Sequence, residues 1–143
     1  MSDLSNRLAM RERMLHEENV RLNHDHALLL KRAPEAWEQF KVAFFDECHE
    51  IDRQTNLTHF QCDEPDPRSF NILRKRNYVP AIAVQSFQFD ASVPCIVWQD
   101  LLNKKLGKVI EIALDQFNLF FVQDGKPVIL SRFVEDCLQK SLL

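Results

Sequence analysis

Hydrophobic positions along this chain change period once, near Pro80. Upstream, apolar residues recur at helical steps of three, four and seven; downstream they alternate or gather in short runs, as strands do. The pattern predicts helices first and an antiparallel sheet second.

Residues 5–32 contain no Gly or Pro and are rich in strong helix formers, which predicts one long helix. Leu8, Leu15, Leu22 and Leu29 recur in it at seven-residue spacing, the repeat of a zipper seam. Their companions on the seam are Glu12, Asn19 and His26, so only one side of it is apolar. Two readings follow: a surface helix laying a narrow Leu stripe on its own core, or a helical dimer in which Asn19 fixes the register. Pro34 then marks the start of a second helix, because a residue preceding proline is pushed out of the α region. Trp37, Phe40, Phe44, Cys48 and Ile51 follow at steps of three and four. This is the best amphipathic stripe in the chain and is expected to cover the sheet. The first helix is expected to pack beside the second as a hairpin, or to continue into it through a kink.

Residues 56–78 carry Pro65 and Pro67 among acidic residues, then the basic run Arg74-Lys75-Arg76. They read as an irregular connector with at most a short helical piece at 67–75. Strands are expected at 81–89, 95–98, 108–115 and 119–123, with a turn at 124–127 and a short strand or helix lead-in at 128–130. Ser131 is a fair N-cap for a terminal helix with Cys137, Leu138 and Leu142 on one side. The whole reads as a single α+β domain: a helical part (1–56) of two helices, one of them long; the connector (57–80); and a four- or five-stranded antiparallel sheet with a C-terminal helix (81–143), helices on one face.

Composition narrows the function classes. The chain is 45% hydrophobic and 27% charged, ordinary for a globular protein, and only two glycines leave little room for a loop that cradles phosphates. A net charge of −3 argues against a global attraction to nucleic acid or to an anionic membrane. No run approaches the ~20 apolar residues of a membrane span, and the polar start does not resemble a secretory signal, so a cytosolic location is expected. Four widely spaced cysteines fit free thiols in a reducing compartment.

Candidate chemistry is thin. Cys48, His49, His59 and Cys62 stand in a CH-x9-H-x2-C order, which matches no common zinc module, and Cys48 is needed in an apolar stripe. A Cys–His nucleophile at Cys48-His49 or Cys62 with His59 lacks a frame, as does a serine elbow. Arg68, Arg74, Lys75 and Arg76 with Phe70 and Tyr78 combine charge with stacking surface, a weak nucleic-acid footprint in an acidic chain. No catalytic set, metal or cofactor is therefore expected. The aromatic residues of the second half outnumber what one thin core needs, and Phe120 and Phe121, being neighbours on a strand, must point to opposite faces. The leading expectation is a non-enzymatic association domain, homodimeric or an adaptor for another protein, using Leu8, Leu15, Leu22, Leu29, Phe120 and Phe121. The alternative is a ligand-binding or enzymatic domain with an apolar pocket between helix 34–55 and the sheet. Its walls would be Trp37, Phe87, Phe89 and Trp98, with Glu47 or His49 as the polar group.

Overall fold

The computed structural model describes residues 3–76, 79–102 and 107–142. It is α+β, with two helices and seven strands: α1 (Asp3–Thr55), β1 (Phe60–Asp66), β2 (Ser69–Arg76), β3 (Val79–Asp90), β4 (Cys95–Asp100), β5 (Lys108–Asp115), β6 (Asn118–Gln123), β7 (Lys126–Val128) and α2 (Leu130–Leu142). The strands pair in sequence order as one open antiparallel meander, β1 and β7 at its edges. The C-terminal half of α1 and all of α2 lie on one face.

Two expectations are corrected. The N-terminal part is one helix of 53 residues, with Pro34 in its interior. An interior proline removes an N–H and crowds the preceding turn, at about 3 kcal/mol. Here the apolar face runs unbroken through it: Leu29 packs against the core, and Ala33, Ala36 and Trp37 are buried. Burial on both sides of the proline keeps the helix continuous through it. The helix stops at Asn56, which takes a left-handed φ of 57° that a short polar side chain tolerates. The Asp52 carboxylate then accepts the His59 N–H at 2.8 Å and turns the chain into β1.

The second correction is the sheet, which has seven strands rather than four or five. The supposed connector forms β1 and β2, with no helical piece at 67–75. Their register is regular, Cys62 against Ile72 and Phe70 against Phe87, apart from a shift between Asp63 and Asp66. Pro65 falls in that shift, on an edge strand, where proline is tolerated. Pro67 and Arg68 make the two-residue turn, and the Asp66 carboxylate accepts the Arg68 N–H at 2.8 Å. Between the Ile72–Gln85 and Leu73–Ala83 pairs, Val84 is an extra residue in β3. Such a bulge re-aims side chains, and here the neighbours Val84 and Gln85 are both buried. Asp124 and Gly125, both at positive φ, form the tight β6–β7 turn.

The core is largely a stack of rings. Phe40 of α1 lies 5.2 Å from Phe87, 5.5 Å from Phe121 and 5.9 Å from Phe133 of α2. Trp98 meets Phe133 edge-on at 5.0 Å. On the opposite face of the sheet, Gln88, Val97, Gln99, Val109 and Glu111 are exposed.

Candidate functional site

Every residue of α1 from Asp3 to Ala27 is exposed. At 1.5 Å per residue this is about 37 Å of helix, exposed to solvent along its whole length. Leu8, Leu15 and Leu22 on it are each a little over half exposed, and Leu4, Met10, Met14 and Val20 are also open to solvent. Burial begins at Leu28, Leu29 and Leu30, which are partly covered, and is complete at Ala33. The Leu stripe is therefore the outward continuation of the face that α1 lays on its own sheet. Of the two sequence readings, the structure places Leu29 on the core and leaves Leu8, Leu15 and Leu22 without cover among the described residues.

The root of the projection is built by the β5–β6 hairpin. Its two-residue tip puts Gln116 at φ 55° and leaves the Phe117 ring 80% exposed, while the Phe117 carbonyl accepts a hydrogen bond from Arg32 of α1. Between stalk and hairpin lies an open notch of about 560 Å³, walled by Leu22, His26, Leu29, Ile112 and Leu114 among others. Sequence reasoning did not place Phe117 at an interface. The available signal was its position, with Gln116, in a two-residue turn between alternating strands.

The other expected site residues fall elsewhere. Phe121 is buried in the core, so it offers no docking surface, whereas Phe120 points to the uncovered face and is half-buried. Trp37 stacks on Phe89 at 5.6 Å and Phe87 on Trp98 at 6.4 Å. These rings fill one another's space, and both indoles are satisfied: Trp37 donates to the Pro67 carbonyl at 2.8 Å and Trp98 to Gln85 Oε1 at 2.6 Å. Glu47 is half-buried and His49 exposed. An open cavity of about 900 Å³ lies at the β1–β2 and β3–β4 turns, lined by Asp66, Arg68 and Asp90 among others, not between helix and strands.

The remaining sequence candidates separate. Phe70 is fully buried, and Arg74 donates to the Ser141 carbonyl at 2.9 Å, near the negative end of α2. Tyr78 lies outside the described residues. Among the described residues, no three His, Cys, Asp or Glu side chains converge as metal ligands. Cys48 is buried on the stripe of α1 and Cys62 half-buried on β1, while His49 is exposed.

One charged group helps to hold β1 on the helix. The Lys41 side chain is only 7% exposed and reaches Glu64 of β1 at 2.6 Å and Glu38 at 3.0 Å. Burial pulls its pKa down, but the hydrogen bonds and charges of Glu64 and Glu38 outweigh it, and the ammonium sits above its ordinary 10.5. Lys41→Met should lose about 1–2 kcal/mol in urea unfolding. Because the folded value is raised, that difference should be fully present at neutral pH and vanish only as pH climbs beyond 10.5. A difference that instead disappeared towards acid would assign the stabilisation to other groups.

No protein-family model matches the chain, and comparison with curated proteins and with solved structures gives no match.

Proposed function

We propose that the chain works by association rather than by chemistry, and that its partner is a second copy paired antiparallel through the projecting half of α1. The observation that supports this is the stalk itself: 25 consecutive exposed helical residues, with leucines at heptad spacing on one side. An isolated helix of this length gains little from propensity alone, and most helical stability in proteins comes from a packed apolar face. A second helix supplies that face.

The polar companions of the leucines favour the antiparallel arrangement. In a parallel pair Glu12 would face Glu12 and His26 would face His26 across the seam. Antiparallel, the two core positions face each other, so Asn19 meets Leu15, Glu12 meets Leu22 and His26 meets Leu8. Arg11 of each copy then flanks Asp25 of the other, giving two complementary pairs against one Glu18–Glu18 contact on the axis. In this register Leu8 of the second copy reaches the notch beside His26 and Leu29. The seam is narrow, so the pair is expected in concentration-dependent equilibrium.

Light scattering on Leu15→Glu tests the reading. Leu15 is half exposed and lies outside the hydrophobic core, so the variant should keep its fold by circular dichroism and stay monomeric at concentrations where the parent chain pairs. Arg11→Asp should weaken pairing, and adding Asp25→Arg should restore it. Unchanged association in Leu15→Glu would remove the stalk from the interface.

A further inference from the structure

We propose that the end of β3 left uncovered by β4 is a binding site for a single-chain fatty carboxylate, its head on Arg76 and Lys75 and its tail along Val79, Ile82 and Leu102. β3 runs for twelve residues, Val79–Asp90, but β4 pairs only with Gln85 to Asp90. Among the described residues, the first half of β3 thus has β2 on one side and, on the other, a hydrogen bond from the Leu101 N–H to the Val84 carbonyl at 3.1 Å. Arg74 pairs with Ile82 across the β2–β3 ladder, so the two share a face, and Arg74 reaches the Ser141 carbonyl of α2. That face is the helix side of the sheet, at the point where α2 ends. Ile82 is nonetheless 62% exposed, and Val79 and Leu102, which line the same cleft, are open too.

The cleft holds about 250 Å³, and Val84 of the core forms part of its wall. This is below the ~300–1,000 Å³ of a drug-sized pocket and suits one alkyl chain. Its polar side chains, among the described residues, are Arg74 and Arg76, which also wall a second cavity of about 210 Å³ together with His59 and Lys75. The Lys75 N–H donates to the His59 carbonyl at 2.8 Å, which ties that second wall together. No carboxylate side chain lines either cavity among the described residues, although the chain carries 21 acidic residues against 18 Lys and Arg. An apolar slot that opens on a row of cations is complementary to an anion with an oily tail. A carboxylate head fits better than a phosphate, because its two oxygens match one guanidinium fork, whereas phosphates draw on the backbone N–H groups of glycine-rich loops. Gly107 and Gly125 line neither cavity. The site shares no residue with the exposed part of α1, so it stands whether or not two copies pair.

Calorimetric titration of the full chain with octanoate, decanoate and laurate, each below its micelle concentration, tests the proposal. One molecule should bind per chain, and affinity should rise by about fourfold for each added methylene until the slot is full. Decanol, which has the tail without the charge, should bind roughly tenfold more weakly than decanoate or worse. Arg76→Glu and Ile82→Glu alter exposed side chains, so both should keep the fold by circular dichroism. Each should weaken decanoate by roughly tenfold or more, the first through the head and the second through the tail. No saturable binding of laurate up to its solubility limit, decanol binding as tightly as decanoate, or binding undisturbed in both variants would overturn the proposal. So would a chain that sediments with phosphatidylserine vesicles but ignores the free acids, since the patch would then be a membrane-docking surface.

Discussion

Phe40→Ala is expected to lower stability by about 3–5 kcal/mol, the largest effect of any single truncation in this chain. Phe40 is fully buried, and its ring lies 5.1–6.3 Å from those of Trp37, Phe44, Phe70, Phe87, Phe121 and Phe133. Those neighbours belong to α1, β2, β3, β6 and α2, so one ring joins both helices to three strands. Truncation removes the transfer energy of the ring and leaves a cavity that rigid aromatic neighbours cannot collapse to fill. A domain of ordinary stability has only about 5–15 kcal/mol in total. In urea, the midpoint should fall steeply with the slope nearly unchanged. A loss below about 1 kcal/mol would mean that the helix is not held to the sheet through this ring.

Gln85→Leu should be the second largest, at about 2–4 kcal/mol. Gln85 is a fully buried amide, placed there by the Val84 bulge. Its oxygen accepts the Trp98 indole N–H at 2.6 Å, and its nitrogen donates to Asp100 at 3.3 Å and to Ser141 Oγ at 3.4 Å. Ser141 in turn donates to the Cys137 carbonyl at 2.7 Å, so the amide links β3, β4 and α2. Leucine matches the volume but leaves the indole N–H buried without an acceptor, which is the expensive half of the change. Adding Trp98→Phe removes the orphaned donor. The double variant should therefore lose less than the sum of the two single losses. Strict additivity would show that the network contributes no more than its packing.

These side chains also show what the sequence could reveal. The inward sets Phe87 and Phe89, Ile110 and Ile112 were visible as strands because they alternate with polar residues, and the C-terminal helix because Cys137, Leu138 and Leu142 share a side. β1 was not visible. Only Phe60 and Cys62 of its seven residues belong to the core, and its charges and Pro65 are features of an edge strand that also mark loops. Pro34 misled for a related reason: the helix-start rule is local, and burial of Ala33, Ala36 and Trp37 overrides it. The excess of rings was overcounted, since Phe133 and Phe40 cover Phe87, Trp98 and Phe121 from one side, leaving Phe117 exposed and Phe120 half-buried. The heptad leucines were plain in the sequence, but whether they met their own core depended on where the sheet ends. The packing of β1 against α1 depended on the reversal at Asn56, which spacing alone does not encode.

Phe40 and Gln85 report on the body of the protein, and their loss would disturb association only by unfolding its base. The direct test of the association surface is sedimentation equilibrium on the intact chain from low to high micromolar concentration. A rise in mass from 16.8 kDa towards twice that value is the expected result. A single species at 16.8 kDa across the whole range would contradict the account.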